Sequence, residues 1–161
     1  MQFKAADNPR PIIPEGFYEA ACIKYDIAYF CRSPKLFLHF EIFKPDLHSG
    51  VKLFMPFSMP ADGKLTPGRK YYKAWIRVKG CKQPSRNATM SPKMFLNKLY
   101  KIKVKTVKTM DKAGELPGLE YSIVDYIAEV LTGKIDVKER NKTNSNRTST
   151  RTLTTTTTTT R

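Results

Sequence analysis

The chain has 161 residues with 29 Lys or Arg against 14 Asp or Glu, which gives a net charge of +15 and a pI near 9.8. This length fits one ordinary domain plus a tail. So positive a protein attracts nucleic acid, anionic lipid or an acidic protein. No segment approaches the roughly 20 apolar residues of a membrane-spanning helix, and the N-terminus lacks the apolar core of a signal peptide. We therefore expect a cytoplasmic protein that does not enter the membrane.

The residue types that carry most catalytic and metal chemistry occur without the usual spacing. Cys22, Cys31 and Cys81 are odd in number and far apart, which favours reduced thiols over disulfides or a zinc site. His39 and His48 have no metal-ligand spacing, and we expect His39 on a sheet surface. There is no phosphate-binding Gly-rich loop, no HExxH motif and no carboxylate pair beside a histidine. We expect no enzyme activity, no metal and no cofactor.

The N-terminal third predicts an extended segment followed by strands. Residues 1–14 are polar and rich in proline, which is typical of extended backbone. A β-favouring run over 17–30 predicts the first strand, and Glu19 interrupts its apolar phase, which indicates a bulge or a bend partway along it. A turn is predicted at 31–34.

The second and third strands, predicted over 35–43 and 51–57, each alternate between an apolar face and a mixed face. The apolar positions predict a core face. Pro56 places the end of the third strand near a sheet edge. The outward positions combine aromatic rings with cations, and those that we assign to a binding surface are Lys35, Phe37, Phe43, Lys52 and Phe54. Such a surface suits flat, anionic ligands; the alternative for each phenylalanine is packing beneath a helix or the N-terminal segment.

A helical region interrupts the strands. Apolar spacing predicts a helix over 69–79 with Tyr72, Trp75 and Ile76 on its buried side, and a short helix begins at residues 91–92. Basic residues surround the first helix and the loop after it, and a solvated helix face explains about half of them. Those that we assign to the binding surface are Arg77, Lys82 and Arg86.

The fourth strand, predicted over 100–108, carries alternate lysines on its outward face: Lys101, Lys103 and Lys105. Neighbouring members are about 6.6–6.8 Å apart, twice the strand rise, close to the phosphate spacing of a nucleic-acid backbone. Such contacts are independent of sequence and sensitive to salt. The alternative is an edge strand that uses lysines to prevent sheet-to-sheet pairing. A hairpin turn at 111–114, a fifth strand over 119–124 and a helical turn over 125–131 complete the domain.

Three strands, a helical interruption and two strands are the element order of an all-β, five-stranded OB-like barrel. In that fold a short helix lies between strands three and four, and ligands bind on strands two and three. The alternative is an open antiparallel sheet with helices on one face. We expect this domain over 15–133. Residues 134–161 contain seven Lys or Arg, two acidic residues and a threonine run, which predicts a disordered tail of charge +5 and leaves +10 on residues 1–133.

Four segments carry a resemblance to a known class: PEGFYEA at 14–20, KLFLHFEI at 35–42, GVKL at 50–53 and KIKVK at 101–105. They resemble divergent OB-fold single-stranded-DNA-binding proteins encoded by bacteriophages and by integrative or conjugative elements. The resemblance covers about residues 10–133 and rests on strand patterns. It implies non-catalytic binding of single-stranded DNA in replication or recombination of such an element. Bacterial single-strand binders usually end in an acidic tail that recruits replication partners, whereas this tail is basic, so that role is not implied.

Two other functions stay open from the sequence. The basic surface would also suit an acidic partner, which would make the chain a protein–protein accessory module of a replication or conjugation complex. RNA would suit the same face, since stacking on aromatic rings does not distinguish the two sugars.

Overall fold

Five strands and one α-helix make up the fold. The structure, a computed structural model, describes residues 10–30, 33–86, 88–109 and 118–134, so the turn at 111–114 and the tail lie outside the described residues. The elements are β1 (Gly16–Phe30), β2 (Ser33–Lys44), β3 (Lys52–Ser58), α1 (Lys70–Val78), β4 (Lys98–Lys108) and β5 (Glu120–Lys134), with 3-10 turns at Asp46–His48 and Pro92–Phe95.

The strands form one sheet in the order β3-β2-β1-β4-β5, and every neighbouring pair is antiparallel. The β-rich, five-stranded OB-like class with a helix between strands three and four is confirmed. The sheet is not closed into a barrel, because β3 and β5 run in the same direction at its two edges without forming a ladder. We call the gap between β3 and β5 the seam.

The core lies on one face of the sheet, as the alternation in β2 and β3 predicts. The fully buried side chains of these strands and of β4 are Leu36, Leu38, Phe40, Ile42, Leu53, Met55, Phe57, Tyr100, Ile102 and Val104. Burying an aliphatic or aromatic side chain contributes about 1.5–3 kcal/mol. A one-residue slip would turn each of these residues to solvent, so the core also determines which residues point outward.

The irregularity predicted in the first strand is confirmed, but the extra residue on β1 is Ile23 and not Glu19. The β1–β2 register shifts between Glu19 and Ala20 and again between Cys22 and Lys24. The first shift skips Phe43 on β2 and the second skips Ile23 on β1, so the inward phase of β1 changes only after Cys22. Before that point Tyr18 is buried, whereas its neighbour Phe17 is 51 % exposed. Phe17, one of the alternating apolar positions of this run, therefore lies on the outer surface.

The helical turn predicted over 125–131 is wrong, because β5 continues as a strand to Lys134 and pairs with β4 over this whole stretch. Register shifts in the β4–β5 ladder add extra residues on β5. They space the inward side chains Val124, Ile127 and Val130 three residues apart, which imitates the period of a helix.

The buried side of α1 differs from the predicted one. The buried residues are Tyr71, Ala74, Trp75 and Val78, while Tyr72 and Ile76 are half-buried. The difference arises because α1 packs on both β3 and β5, at the seam, and not on one continuous sheet face. Gly80, with φ of 75°, supplies the left-handed residue that ends the helix. Among the described residues, no helix has the length and hydropathy to span a bilayer.

Residues 10–14, which we call the N-terminal strap, are fixed to β5 through Ser122. The Ser122 N–H donates to the Pro11 carbonyl at 3.0 Å. The Ile13 N–H donates to Ser122 Oγ at 2.9 Å, and that hydroxyl donates to the Ile13 carbonyl at 3.0 Å. The Ile13 side chain is buried in the core. The strap is therefore part of the packed domain.

Replacing Ser122 with Ala should destabilise the protein, since the hydroxyl both accepts from and donates to the Ile13 backbone. A buried donor left without a partner costs about 1–3 kcal/mol, and we expect a loss of that size in the free energy of unfolding, measured by urea denaturation. The exposed Ser58→Ala on β3 is the control and should stay within about 0.5 kcal/mol of wild type. A loss in Ser122→Ala no larger than the control's would contradict this role for the strap.

Candidate nucleic-acid interface

The outward rings of β2 and β3 meet a ring of β5 across the seam. Phe37 and Phe54 contact edge to face with centroids 5.9 Å apart, and Phe54 lies nearly parallel to Tyr121 at 6.0 Å and 23°. The guanidinium carbon of Arg10 is 4.6 Å from the centre of the Tyr121 ring. We call Phe37, Phe54 and Tyr121 the seam patch. All three are half-buried, so part of each ring is covered by its neighbours.

An acid–base cluster lies beside the seam patch. His39 Nε2 is 2.8 Å from Asp26 Oδ2, and the same oxygen is 3.0 Å from Lys24 Nζ. Burial lowers the pKa of His39 below its usual 6.5, Lys24 acts in the same direction, and Asp26 opposes both. The hydrogen bond from Lys24 lowers the pKa of Asp26. At neutral pH His39 is therefore neutral and adds no cation to the patch.

The predicted outward lysines of β4 are present, but two of them have acidic neighbours. Lys105 pairs with Asp125 at 2.7 Å. Lys101 lies opposite Glu19 on β1 and opposite Glu129 on β5 in the ladder registers. These carboxylates reduce the positive potential that either lysine presents to an anionic ligand.

Lys103 is the lysine with aromatic neighbours. The ladders place Phe17 on one side of it and Tyr126 on the other. The ammonium nitrogens of Lys103 and Lys101 lie 4.8 Å and 5.6 Å from the centre of the Phe17 ring. On the far side, the guanidinium carbon of Arg77 lies 6.0 Å from the Tyr126 ring centre. We call Phe17, Lys103, Tyr126 and Arg77 the aromatic–cation row, since ring and cation alternate across β1, β4, β5 and α1.

The two rings of this row are open to solvent, with Phe17 51 % and Tyr126 40 % exposed. A surface cation–π contact contributes about 0.5–1 kcal/mol, whereas stacking a base on an aromatic side chain contributes about 1–3 kcal/mol. A base would therefore displace a lysine from the Phe17 ring. The displaced ammonium group would then be available to a phosphate.

The seam patch and the aromatic–cation row are joined through β5. Tyr121 and Tyr126 lie opposite Val107 and Lys103, which are four residues apart on β4, a distance of roughly 14 Å at the usual strand rise. The route along β1 is longer, because Phe37 lies opposite Asp26, nine residues from Phe17, which is roughly 30 Å. The predicted rings of β2 and β3 are therefore nearer to Lys103 by way of β5 than by way of β1.

The remaining predicted site residues lie outside both clusters: Lys35, Phe43, Lys52, Lys82 and Arg86. Lys35 and Phe43 are half-buried on the outward side of β2. Lys52 is exposed and lies opposite Glu41. Arg86 lines a separate cleft with Lys64. The positions of Lys52 and Arg86 therefore do not support their assignment to one binding surface with the others.

Sequence reasoning missed four residues of the two clusters: Arg10, Phe17, Tyr121 and Tyr126. Phe17 had a usable signal, since residues two apart on a strand share a face, and the charged Glu19 indicates an outward one. Tyr126 lies in the stretch that was assigned to a helical turn. Arg10 contacts Tyr121 because the strap that carries Arg10 is fixed to β5 at Ser122. No local sequence pattern shows that contact.

Comparison of the chain with protein-family models and with curated proteins finds no match. Within the described ranges, no three His, Cys, Asp or Glu residues are close enough to hold a metal ion.

The two described cysteines are free thiols. Cys22 is buried, and burial raises the pKa of its thiol to about 12, whereas Cys81 is exposed. Cys31 lies outside the described residues.

The His39 cluster predicts opposite titration shifts in two variants. Asp26 raises the pKa of His39, so Asp26→Asn should lower its NMR titration midpoint further below 6.5; Lys24 lowers that pKa, so Lys24→Gln should raise the midpoint. The pKa of His39 is lower in the folded protein than in the unfolded chain. The neutral imidazole therefore contributes fully to stability above pH 6.5, and this contribution is lost as the pH falls from 6.5 through the folded pKa. Shifts of the same sign in both variants would contradict the arrangement.

Proposed function

We propose that the protein binds single-stranded DNA without catalysis, and that the strand lies on the aromatic–cation row. The observation that carries the proposal is the alternation of two open rings with two cations, Phe17, Lys103, Tyr126 and Arg77. A single strand alternates bases with phosphates. Every base offers a π face, so stacking of this kind does not depend on sequence.

The net charge of +10 on residues 1–133 supports an anionic ligand without involving the tail. Rings that lie along a sheet surface reach the bases of a single strand but not the stacked bases inside a duplex. A duplex would gain only the phosphate contacts, which are strongly weakened by salt. The proposal therefore requires a preference for single strands that increases with salt concentration.

The seam patch extends the proposed path. A strand that leaves Tyr126 along β5 reaches Tyr121 and Phe54 after roughly 14 Å, and Arg10 lies over Tyr121. The outward residues predicted on the second and third strands would thus form the second contact. Their partial burial makes them the weaker stacking surface.

We place this activity in replication or recombination of a phage or mobile element, in the cytoplasm. The resemblance of the strand patterns to single-strand binders of such elements supports this setting. The proteins that act on the same DNA, replication or recombination proteins, are the partners that it implies. RNA would use the same rings and cations, so an RNA oligonucleotide of equal length belongs in the test.

Phe17→Ala should weaken binding of a labelled oligothymidylate by about 1–3 kcal/mol, the contribution of one stacked base, which is roughly 5- to 150-fold. Lys103→Gln should lower the slope of log affinity against log salt by about 0.7, the value for one phosphate of a single strand. Fluorescence anisotropy at several salt concentrations measures both.

Two matched variants serve as controls. Tyr29→Ala removes a ring that is 78 % exposed at the other end of β1, and Lys64→Gln removes an exposed charge from the loop before α1. Both should bind like wild type. Equal losses in the controls would remove the row as the site, and a duplex bound as tightly as the single strand would contradict the function. Tighter binding of the RNA oligonucleotide would make RNA the ligand.

A further inference from the structure

A cavity of about 310 Å³ opens into the seam between α1, β3 and β5. Its floor is apolar and consists of the buried Met55, Ala74 and Ile127. Its rim is cationic and consists of Lys70, Lys73 and Arg77, and no acidic residue lines it. Tyr126 forms one wall, so the cavity lies at the end of the aromatic–cation row.

The two lysines of the rim are available to a ligand. Among the described residues, neither Lys70 nor Lys73 has a carboxylate within ion-pair distance. Asp125, the acid that acts on Lys70, is already held by Lys105 at 2.7 Å. Partial desolvation lowers the pKa of Lys70. The Lys70 side chain is exposed, and its ammonium nitrogen lies 5.8 Å from the centre of the Phe57 ring. An ammonium group without a paired carboxylate gains more from an incoming anion than a paired one does.

Arg77 has a different role from the two lysines. It donates a hydrogen bond to the Ile127 carbonyl and lies against the Tyr126 ring. These two contacts hold its guanidinium at the mouth of the cavity. One side of the opening is therefore pre-formed, which lowers the ordering cost of binding there.

The shape and polarity of the cavity select a ligand of one class. Its volume is at the low end for small-molecule sites, which suits a single heteroaromatic ring system. An apolar floor next to an aromatic wall favours a flat ring, and the cationic rim requires an anion attached to it. A base with its phosphate has both features, and one base of a flexible single strand is unstacked at little cost.

We infer that the seam cavity receives one unstacked nucleotide of the bound strand, with its base against Met55, Ala74 and Ile127. The base stacks on Tyr126, and its phosphate meets Lys70 and Lys73. This inference rests on the proposed function and adds an anchoring point at one end of the row. A strand held in this way has a defined register on an otherwise sequence-independent surface.

The ¹³C-methyl signal of Met55 tests the inference directly, because its side chain lies at the cavity floor. In the full chain, an oligothymidylate should shift this signal, while that of Met59, which lines other clefts, should stay in place. Thymidine monophosphate at millimolar concentration should shift Met55 in the same direction. The double variant Lys70→Gln, Lys73→Gln should require at least tenfold more oligonucleotide for the same shift.

The control is the double variant Lys64→Gln, Lys93→Gln, which removes two exposed charges away from the cavity and should leave the Met55 titration unchanged. Urea denaturation of both double variants shows whether each is folded. If the oligonucleotide binds with the expected dependence on Phe17 but Met55 does not shift, the inference is overturned and the proposed function stands. If thymidine monophosphate shifts Met55 but no oligonucleotide binds, both the inference and the proposed function are overturned.

Discussion

The two unpaired sheet edges at the seam are the constraint on which the rest of the structure depends. Polar backbone groups along such edges need partners wherever they are covered, and β3 and β5 do not supply them to each other. On β5, the Ser122 N–H is paired with the strap and the Ile127 carbonyl with Arg77. Phe54 and Tyr121 close the outer surface next to Ser122. The seam is therefore closed by side chains, the strap and α1.

This mode of closure explains why cations and rings gather where they do. Arg77 reaches the outer surface because its guanidinium satisfies a β5 carbonyl, and it thereby lies beside Tyr126. Lys103 lies opposite Phe17 on β1 and opposite Tyr126 on β5, so ladders on both sides fix its backbone position. A helix that packs into a seam also leaves a cavity where its side chains meet two separate strands. The proposed binding row and the cavity at its end thus follow from one unclosed barrel.

The sequence predicts those parts of the site that depend on regular alternation. Phe37, Phe54 and Lys103 are correctly placed on the outer face because their strands keep strict two-residue periodicity around them. Tyr126 is missed because register shifts give β5 a three-residue spacing. Phe17 is missed, in spite of the outward Glu19 two residues on, because the shift between Cys22 and Lys24 reverses the phase of β1, so the odd-numbered apolar residues of this run do not share one face. Such shifts arise from pairing between distant segments, which no local window contains. The cavity is equally hidden, because it forms only where α1 packs against β3 and β5, two strands that are far apart in the sequence.

Photo-crosslinking is the most direct measurement of where a single strand lies. An oligonucleotide that carries 5-iododeoxyuridine reacts with aromatic side chains in contact with its bases, and mass spectrometry identifies the peptide. Binding on the aromatic–cation row predicts crosslinks at Phe17 and Tyr126, with weaker ones at Tyr121 and none at Tyr29. Crosslinks confined to Tyr29, or equal yields from a duplex of the same sequence, would contradict single-strand binding on this face.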